Sequence, residues 1–165
     1  MEYKASLDTL AKIITIGIAI LFIAIGLHSV KSLFVAQGDS STVLIHAGVL
    51  LLLVAIITIS WLYAPQSYTL GKTDLTINRP IGKVNVSLAD ITQVRCVSDT
   101  EMRGTIRTFG VGGLFGYFGK FYSPQIGHIT FYATQRINGI LIVDKQGKKI
   151  LLTPDDISLV GKIHH

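Results

Sequence analysis

A single cysteine in 165 residues, Cys96, excludes an internal disulfide and any metal site built only of thiolates, and it fits a reducing compartment. Charge is scarce as well: Asp, Glu, Lys and Arg make up 15% of the chain, against about 25% in an ordinary soluble domain. The shortage is local. Residues 1–64 carry three basic residues (Lys4, Lys12, Lys31) and three acidic ones (Glu2, Asp8, Asp39), so the whole net charge of +5 lies in residues 65–165. No Gly-Lys-Ser/Thr triplet ends the glycine-rich run at 110–116, which excludes a P-loop, and Gly119 and Pro124 interrupt the helix that a dinucleotide fold would need next. Cys96 sits between Val94 and Val97 with no histidine in its local sequence, and reads as a core residue. No hydrolytic triad is visible, nothing calls for a cofactor, and an independent enzyme is the least supported class. The basic residues are scattered, without the dense cluster of a nucleic-acid site.

The first part of the chain is organised by two apolar runs. Residues 13–30 have no charge and are bracketed by Lys12 and Lys31; residues 43–63 again have none. At 1.5 Å per residue each is just long enough for a hydrocarbon core of roughly 30 Å. Trp61 and Tyr63 close the second run where an aromatic belt would lie, and Pro65 then stops the helix. A cleavable signal peptide is the rival reading of the first run, but the run is too long, and the nearest cleavage point, after Ala36, has bulky Phe34 where a small residue is needed. Two transmembrane helices in a hairpin, residues 1–64, are therefore expected. Lys4 and Lys12 precede the first span and Lys72, Arg79 and Lys83 follow the second, while the intervening loop offers only Lys31. By the positive-inside rule both termini are cytoplasmic in a multi-pass protein of the cell membrane.

After Pro65 the pattern changes to short alternating segments divided by turn residues. Leu75 and Ile77, then Val84, Val86 and Leu88, then Val94 and Cys96 each alternate with polar positions. Further strand-like stretches follow at 105–109, 128–134, 140–143 and 149–152, with Asn138-Gly139 and Gln146-Gly147 as hairpin signals. Six to seven short strands at this spacing predict a small antiparallel barrel or sandwich. Thr153-Pro154-Asp155-Asp156 reads as an N-cap, a first-turn proline and first-turn acids, with Ile157, Val160 and Ile163 at helical spacing beyond. A short amphipathic helix should close the chain over one opening of the barrel.

At particular residues this arrangement resembles a known family. Tyr68-Thr69-Leu70, Leu75-Thr76-Ile77, the turn at 79–84 and Leu88-Ala89-Asp90-Ile91 look like the opening hairpin of bacterial pleckstrin-homology-like (PH-like) domains. Arg107-Thr108-Phe109-Gly110, Gly112-Gly113-Leu114-Phe115-Gly116 and Gly119-Lys120-Phe121 are similar to a glycine-rich signature of that family, and Tyr132-Ala133-Thr134 and Leu152-Thr153-Pro154-Asp155-Asp156 also match. The resemblance covers roughly residues 66–163. It implies an all-β PH-like small barrel with a C-terminal α-helix over residues 66–165, and a membrane-anchored binding role without a reaction.

Two constellations are candidates for function. The glycine-rich stretch from Gly110 to Pro124 reads either as a flexible hairpin or as an aromatic wedge of Phe115, Tyr117, Phe118, Phe121 and Tyr122 beside Arg103, Arg107 and Lys120. Such a wedge would enter lipid headgroups or grip a protein. His28 and His46 fall at similar depth in the two spans, as a metal, haem or quinone contact or as residues that simply reach the interface. The expected partners are the lipid bilayer and a protein, or a second copy of the chain, with no nucleic acid. The expected function is an interaction module at the cytoplasmic membrane face; the alternative is an accessory subunit of a membrane enzyme or transporter, with Gly17, Gly26 and Gly48 permitting close helix contacts.

Overall fold

A computed structural model describes residues 1–35 and 39–163; Ala36, the cleavage point weighed above, lies outside them. Two long helices, α1 (Thr9–Val35) and α2 (Ser40–Tyr63), are both long and apolar enough to cross a membrane. Each begins a little before its apolar run because an aspartate caps it. Asp8 accepts the Ala11 amide at 2.7 Å, and Asp39 accepts the amides of Ser41 and Thr42 at 3.2 Å each. The outward faces present bare aliphatic side chains such as Ile16, Ile20, Leu44 and Leu51. Gly26 lies against Leu50 of α2, whereas a Cβ on Gly17 or Gly48 would meet no atom within 4 Å.

The rest is β-rich. One sheet has four strands in the order β1 (Glu2–Lys4), β2 (Ser67–Leu70), β3 (Asp74–Asn78), β4 (Val84–Ser87). The other has six: β5 (Ile91–Cys96), β9 (Ile140–Asp144), β10 (Lys149–Leu152), β8 (Gly127–Ala133), β7 (Gly116–Ser123), β6 (Ile106–Gly113). A one-turn helix, α3 (Asp99–Met102), joins β5 to β6, and α4 (Leu159–Ile163) ends the described chain.

The main core lies between the sheets: Tyr68, Leu75 and Ile77 of the first meet Ile140, Ile142, Ile150 and Leu152 of the second, all buried. Tyr68 is fully buried and satisfied, donating to the Tyr132 carbonyl at 2.6 Å and accepting the Thr153 amide at 3.2 Å. A second cluster occupies the opposite face of the six-stranded sheet. It contains Tyr117, Phe121, Ile129, Phe131, Leu141 and Leu151, and Ala11 of α1 is buried in it.

Several details differ from the sequence expectation. The strands form two packed sheets and not a hydrogen-bonded closed barrel, because β1 from the N-terminus takes the outer edge of β2, with Tyr3 opposite Tyr68. Asn138-Gly139 turns the chain but makes no hairpin: β8 pairs in parallel with β10, while β9 lies beyond. Gln146-Gly147 does sit in the β9–β10 hairpin loop. The terminal helix starts later than Thr153-Pro154 suggested. Thr153 and Pro154 are buried, Asp156 accepts from the amide and hydroxyl of Ser158, and only then does α4 begin. Its buried anchor is Leu159, with Val160 and Ile163 partly covered and Ile157 about half exposed. Cys96 is exposed, not in the core.

The glycine-rich stretch is two eight-residue strands, β6 and β7, joined at Leu114-Phe115. Gly110 and Gly119 stand opposite each other with φ of 117° and 119°, and a Cβ on Gly110 would lie 2.3 Å from the Phe118 carbonyl oxygen. Only glycine allows that approach.

Candidate functional site

The second sheet's outer face is only partly covered. Ala11 of α1 belongs to its cluster, and Leu7, Val97 and Met102 pack against it. Beside Val97 and Met102 a pocket of about 600 Å³ remains open. Its floor is aromatic and aliphatic, from Tyr117, Phe121, Phe131 and Leu151; Phe121 and Phe131 stack with ring centroids 4.0 Å apart. Arg103 and Arg136 stand on its lining with Asp99, Gln135, Thr105 and Thr153. The Thr105 hydroxyl oxygen is buried with no hydrogen-bond partner among the described residues. An apolar floor with a few convergent polar groups is the usual construction of a ligand site.

One wall of this pocket is tied to α1 by a single carboxylate. Asp8 caps the helix through Ala11 and also accepts the Tyr117 hydroxyl at 3.3 Å and the Arg136 amide at 3.2 Å. The Arg136 guanidinium lies 3.7 Å from the same carboxylate, and the Asp8 amide donates to the Thr134 carbonyl at 3.2 Å. Burial, reinforced by the Asp8 charge, pushes the Tyr117 phenol up to about 12, so it remains a donor at neutral pH.

The other wall is α3. Ser98 and Glu101 form a reciprocal capping box, and Glu101 also pairs with Arg95 at 2.7 Å. The Arg95 guanidinium, then the Ser98 amide and hydroxyl, hold the Glu101 carboxyl down at about 2 from an ordinary 4.5. Since the folded value is the lower one, this contribution is complete above pH 4.5 and fades as pH falls through about 2. The Glu101 amide resonance should therefore keep its position from pH 7 to 5 and move only in stronger acid. Loss of the cap between pH 6 and 5 would contradict the pairing.

The base of the helical hairpin meets the domain at two further places. The β6–β7 turn docks on α1: the Thr15 hydroxyl donates to the Gly113 carbonyl at 3.3 Å and accepts the Phe115 amide at 3.0 Å. Gly113 has φ 125°, and a Cβ there would lie 2.6 Å from Ile14 Cδ1, so this contact also needs glycine. The β3–β4 turn docks on α2, where the Ile81 amide donates to the Leu62 carbonyl and Arg79 lies over the Tyr63 ring at 5.4 Å.

The residues singled out from sequence do not form one cluster. Arg103, Tyr117 and Phe121 line the pocket. Phe118 is buried, and Phe115 is half-buried in the turn on α1. Arg107 is exposed and runs beside Gly112; Lys120 bonds Thr130 at 2.9 Å near the outer edge of the sheet. Phe121, Tyr117 and Phe118 are 6 to 8% exposed, so the side chains of the wedge that present surface are Phe115 and Tyr122. Asp8 and Arg136 carried no sequence signal as pocket residues, for Asp8 is more than 100 residues from both Tyr117 and Arg136. His28 and His46 do meet, with ring centroids 6.1 Å apart, beside Lys31, Ser32 and Thr42. No cluster of three or more potential metal ligands occurs among the described residues.

Residues 66–162 match the family model described as a bacterial PH domain, which is more than half of the chain. No curated protein and no solved structure matches.

Proposed function

Because the chain belongs to the bacterial PH-domain family, we propose that it is a membrane-anchored interaction module without catalytic activity of its own. The helical hairpin crosses the cell membrane, both termini are cytoplasmic, and the PH-like domain receives a lipid or protein partner at the cytoplasmic face. The observation that carries this reading is the pocket bearing Arg103 and Arg136 over an aromatic floor, held against the first turn of α1 by Asp8. An anionic group joined to an apolar body suits those walls: guanidinium forks take phosphate or carboxylate, and the floor takes an acyl chain or an apolar side chain. Its position beside the start of α1 brings it near the cytoplasmic headgroups. The half-buried Phe115 at the docked turn fits the same interface.

Full-length protein in neutral phosphatidylcholine nanodiscs tests the reading. Only two methionines exist, so Met102 in the pocket can be followed by methyl NMR with Met1 as internal reference. Dioctanoyl phosphatidylglycerol represents the lipid source, and an acetylated Phe-Glu amide the protein source. One of them should shift Met102 and leave Met1 unmoved, and Arg103→Gln with Arg136→Gln should reduce that shift at least tenfold in midpoint. A Met102 signal indifferent to both probes, or equally responsive to dioctanoyl phosphatidylcholine, would remove the pocket from the function.

A further inference from the structure

Two turns of the domain are fixed to the apolar helices, and both at the same end of the hairpin. The β3–β4 turn, residues 79–83, is held at the Leu62 carbonyl by the Ile81 amide at 3.1 Å. The β6–β7 turn is held at the Thr15 hydroxyl by the Phe115 amide at 3.0 Å. Leu62 is the last residue but one of the charge-free run 43–63, and Thr15 is the third of the run 13–30. Each contact therefore lies within one helical turn of the point where its span leaves the hydrocarbon. A turn held at that height by its own backbone stands among lipid headgroups, whichever side of the bilayer the domain occupies.

The side chains at these contacts suit that layer. Ile81 is 46% exposed, and Trp61 and Tyr63, on either side of Leu62, are exposed to a similar degree. Arg79 lies over the Tyr63 ring at 5.4 Å and donates from Nε to the Gly82 carbonyl at 2.7 Å, which closes the turn and leaves its charge uncompensated. Lys83 follows it, exposed. Neither forms an ion pair among the described residues. No Asp or Glu occurs from Leu75 to Ala89 around the first turn, or from Arg103 to Val143 around the second. Apolar tips beside unneutralised cations are the surface that an anionic bilayer interface takes.

We infer that the two turns are a docking surface for anionic phospholipid of the surrounding leaflet. Ile81 and Phe115 enter the headgroup layer, and Arg79 and Lys83 take lipid phosphates there. A protein occupant is disfavoured by continuity with the hairpin: Ile13, Ile16 and Ile59, which flank the two contacts on the helices, are exposed aliphatic residues on its lipid face. The domain is then seated on the leaflet at two points, and the headgroup charge decides how firmly. The inference rests on the reading that the hairpin spans the bilayer. It uses neither Arg103 nor Arg136, so it stands or falls apart from the pocket described above.

Trp61 is the single tryptophan of the chain, so its fluorescence reports the lipid beside the β3–β4 turn. The full chain is placed in mixed bilayers of phosphatidylcholine and phosphatidylglycerol, with one or the other brominated on its acyl chains. Quenching should show a preference for phosphatidylglycerol of at least about threefold. Arg79→Gln with Lys83→Gln should abolish the preference, and Arg79→Lys with Lys83→Arg, which keeps the charge, should retain it. In a Cys96→Ser background, bimane on Ile81→Cys or Phe115→Cys should be quenched by brominated lipid, and bimane on exposed Gln146→Cys, in the β9–β10 loop, should not. Equal quenching of Trp61 by the two lipids, or a preference that survives loss of both charges, would overturn the inference and leave the span intact. An unquenched label at Ile81 would set the turn in water or against a protein and would overturn it as well. Trp61 quenched by neither lipid would overturn the span, and the docking surface with it.

Discussion

Replacing Asp8 by Ala is expected to destabilise the full chain by about 2–4 kcal/mol, a fall in melting temperature on the order of 5–15 °C. The change removes the cap of α1 and, in the same stroke, strips the Tyr117 hydroxyl and the Arg136 amide of their acceptor. Tyr117 is 8% exposed, so its hydroxyl cannot turn wholly to water. Asp8→Asn retains a carbonyl acceptor and loses the charge near Arg136, and should fall between the two. The structural consequence is separable from simple loss of stability. With cysteines at Thr15 and Phe115 in a Cys96→Ser background, a short bis-maleimide should link the two positions well below the melting temperature. Asp8→Ala should lower that yield several-fold at the same temperature. An unchanged melting temperature and an unchanged yield would contradict the role of Asp8 as the joint between helix and domain.

The second large effect is expected at the other end of the chain. Leu159 is fully buried against the main core, so Leu159→Ala should cost about 2–5 kcal/mol, as other large-to-small core changes do. Ile157→Ala, on a side chain about half exposed, should cost within about 1 kcal/mol. Truncation after Thr153 goes further. It also removes buried Pro154, and it removes Asp155, which accepts from the Ser6 amide at 2.9 Å, the Ser6 hydroxyl at 2.6 Å and the Gln135 side chain at 2.7 Å. Against a total stability of about 5–15 kcal/mol, the truncated chain should not hold the two sheets together. Thermal unfolding followed by far-UV circular dichroism distinguishes the three variants. Equal effects of Leu159→Ala and Ile157→Ala would show that the helix packs in another phase.

What the sequence made legible was whatever is encoded locally. Charge-free runs of helical length gave α1 and α2, Pro65 gave the end of the second, and period-two alternation gave most of the strands. The glycine-rich signature pointed to the family but hid its own geometry. Glycines that look flexible in a list stand opposite each other at 110 and 119 and build a regular ladder. The candidate site was legible only in pieces. Side chains alternate across a strand, so Tyr117 and Phe121 fall on the pocket face while Phe118 and Lys120 fall on the other, and one sequence cluster becomes two surfaces. The terminal helix was placed one turn too early, because Asp156 spends its carboxylate on Ser158 outside the helix. Nothing in the first eight residues announced that Glu2–Lys4 would join a sheet beginning at Ser67, or that Asp8 would meet Tyr117 and Arg136. Such pairings depend on the closed fold and leave no local pattern.

The proposed topology, in which a helical hairpin holds a PH-like domain on the cytoplasmic side, has one direct test. Cysteines are placed singly at Ser40 and Ser158 in the Cys96→Ser background; both positions are exposed, as is Cys96 itself, which must therefore be removed. Intact cells are then treated with a membrane-impermeant maleimide, before and after permeabilisation. Ser40→Cys should be labelled in intact cells, and Ser158→Cys only after permeabilisation. Labelling of Ser158→Cys but not Ser40→Cys in intact cells would invert the orientation, and labelling of both would contradict the membrane hairpin itself.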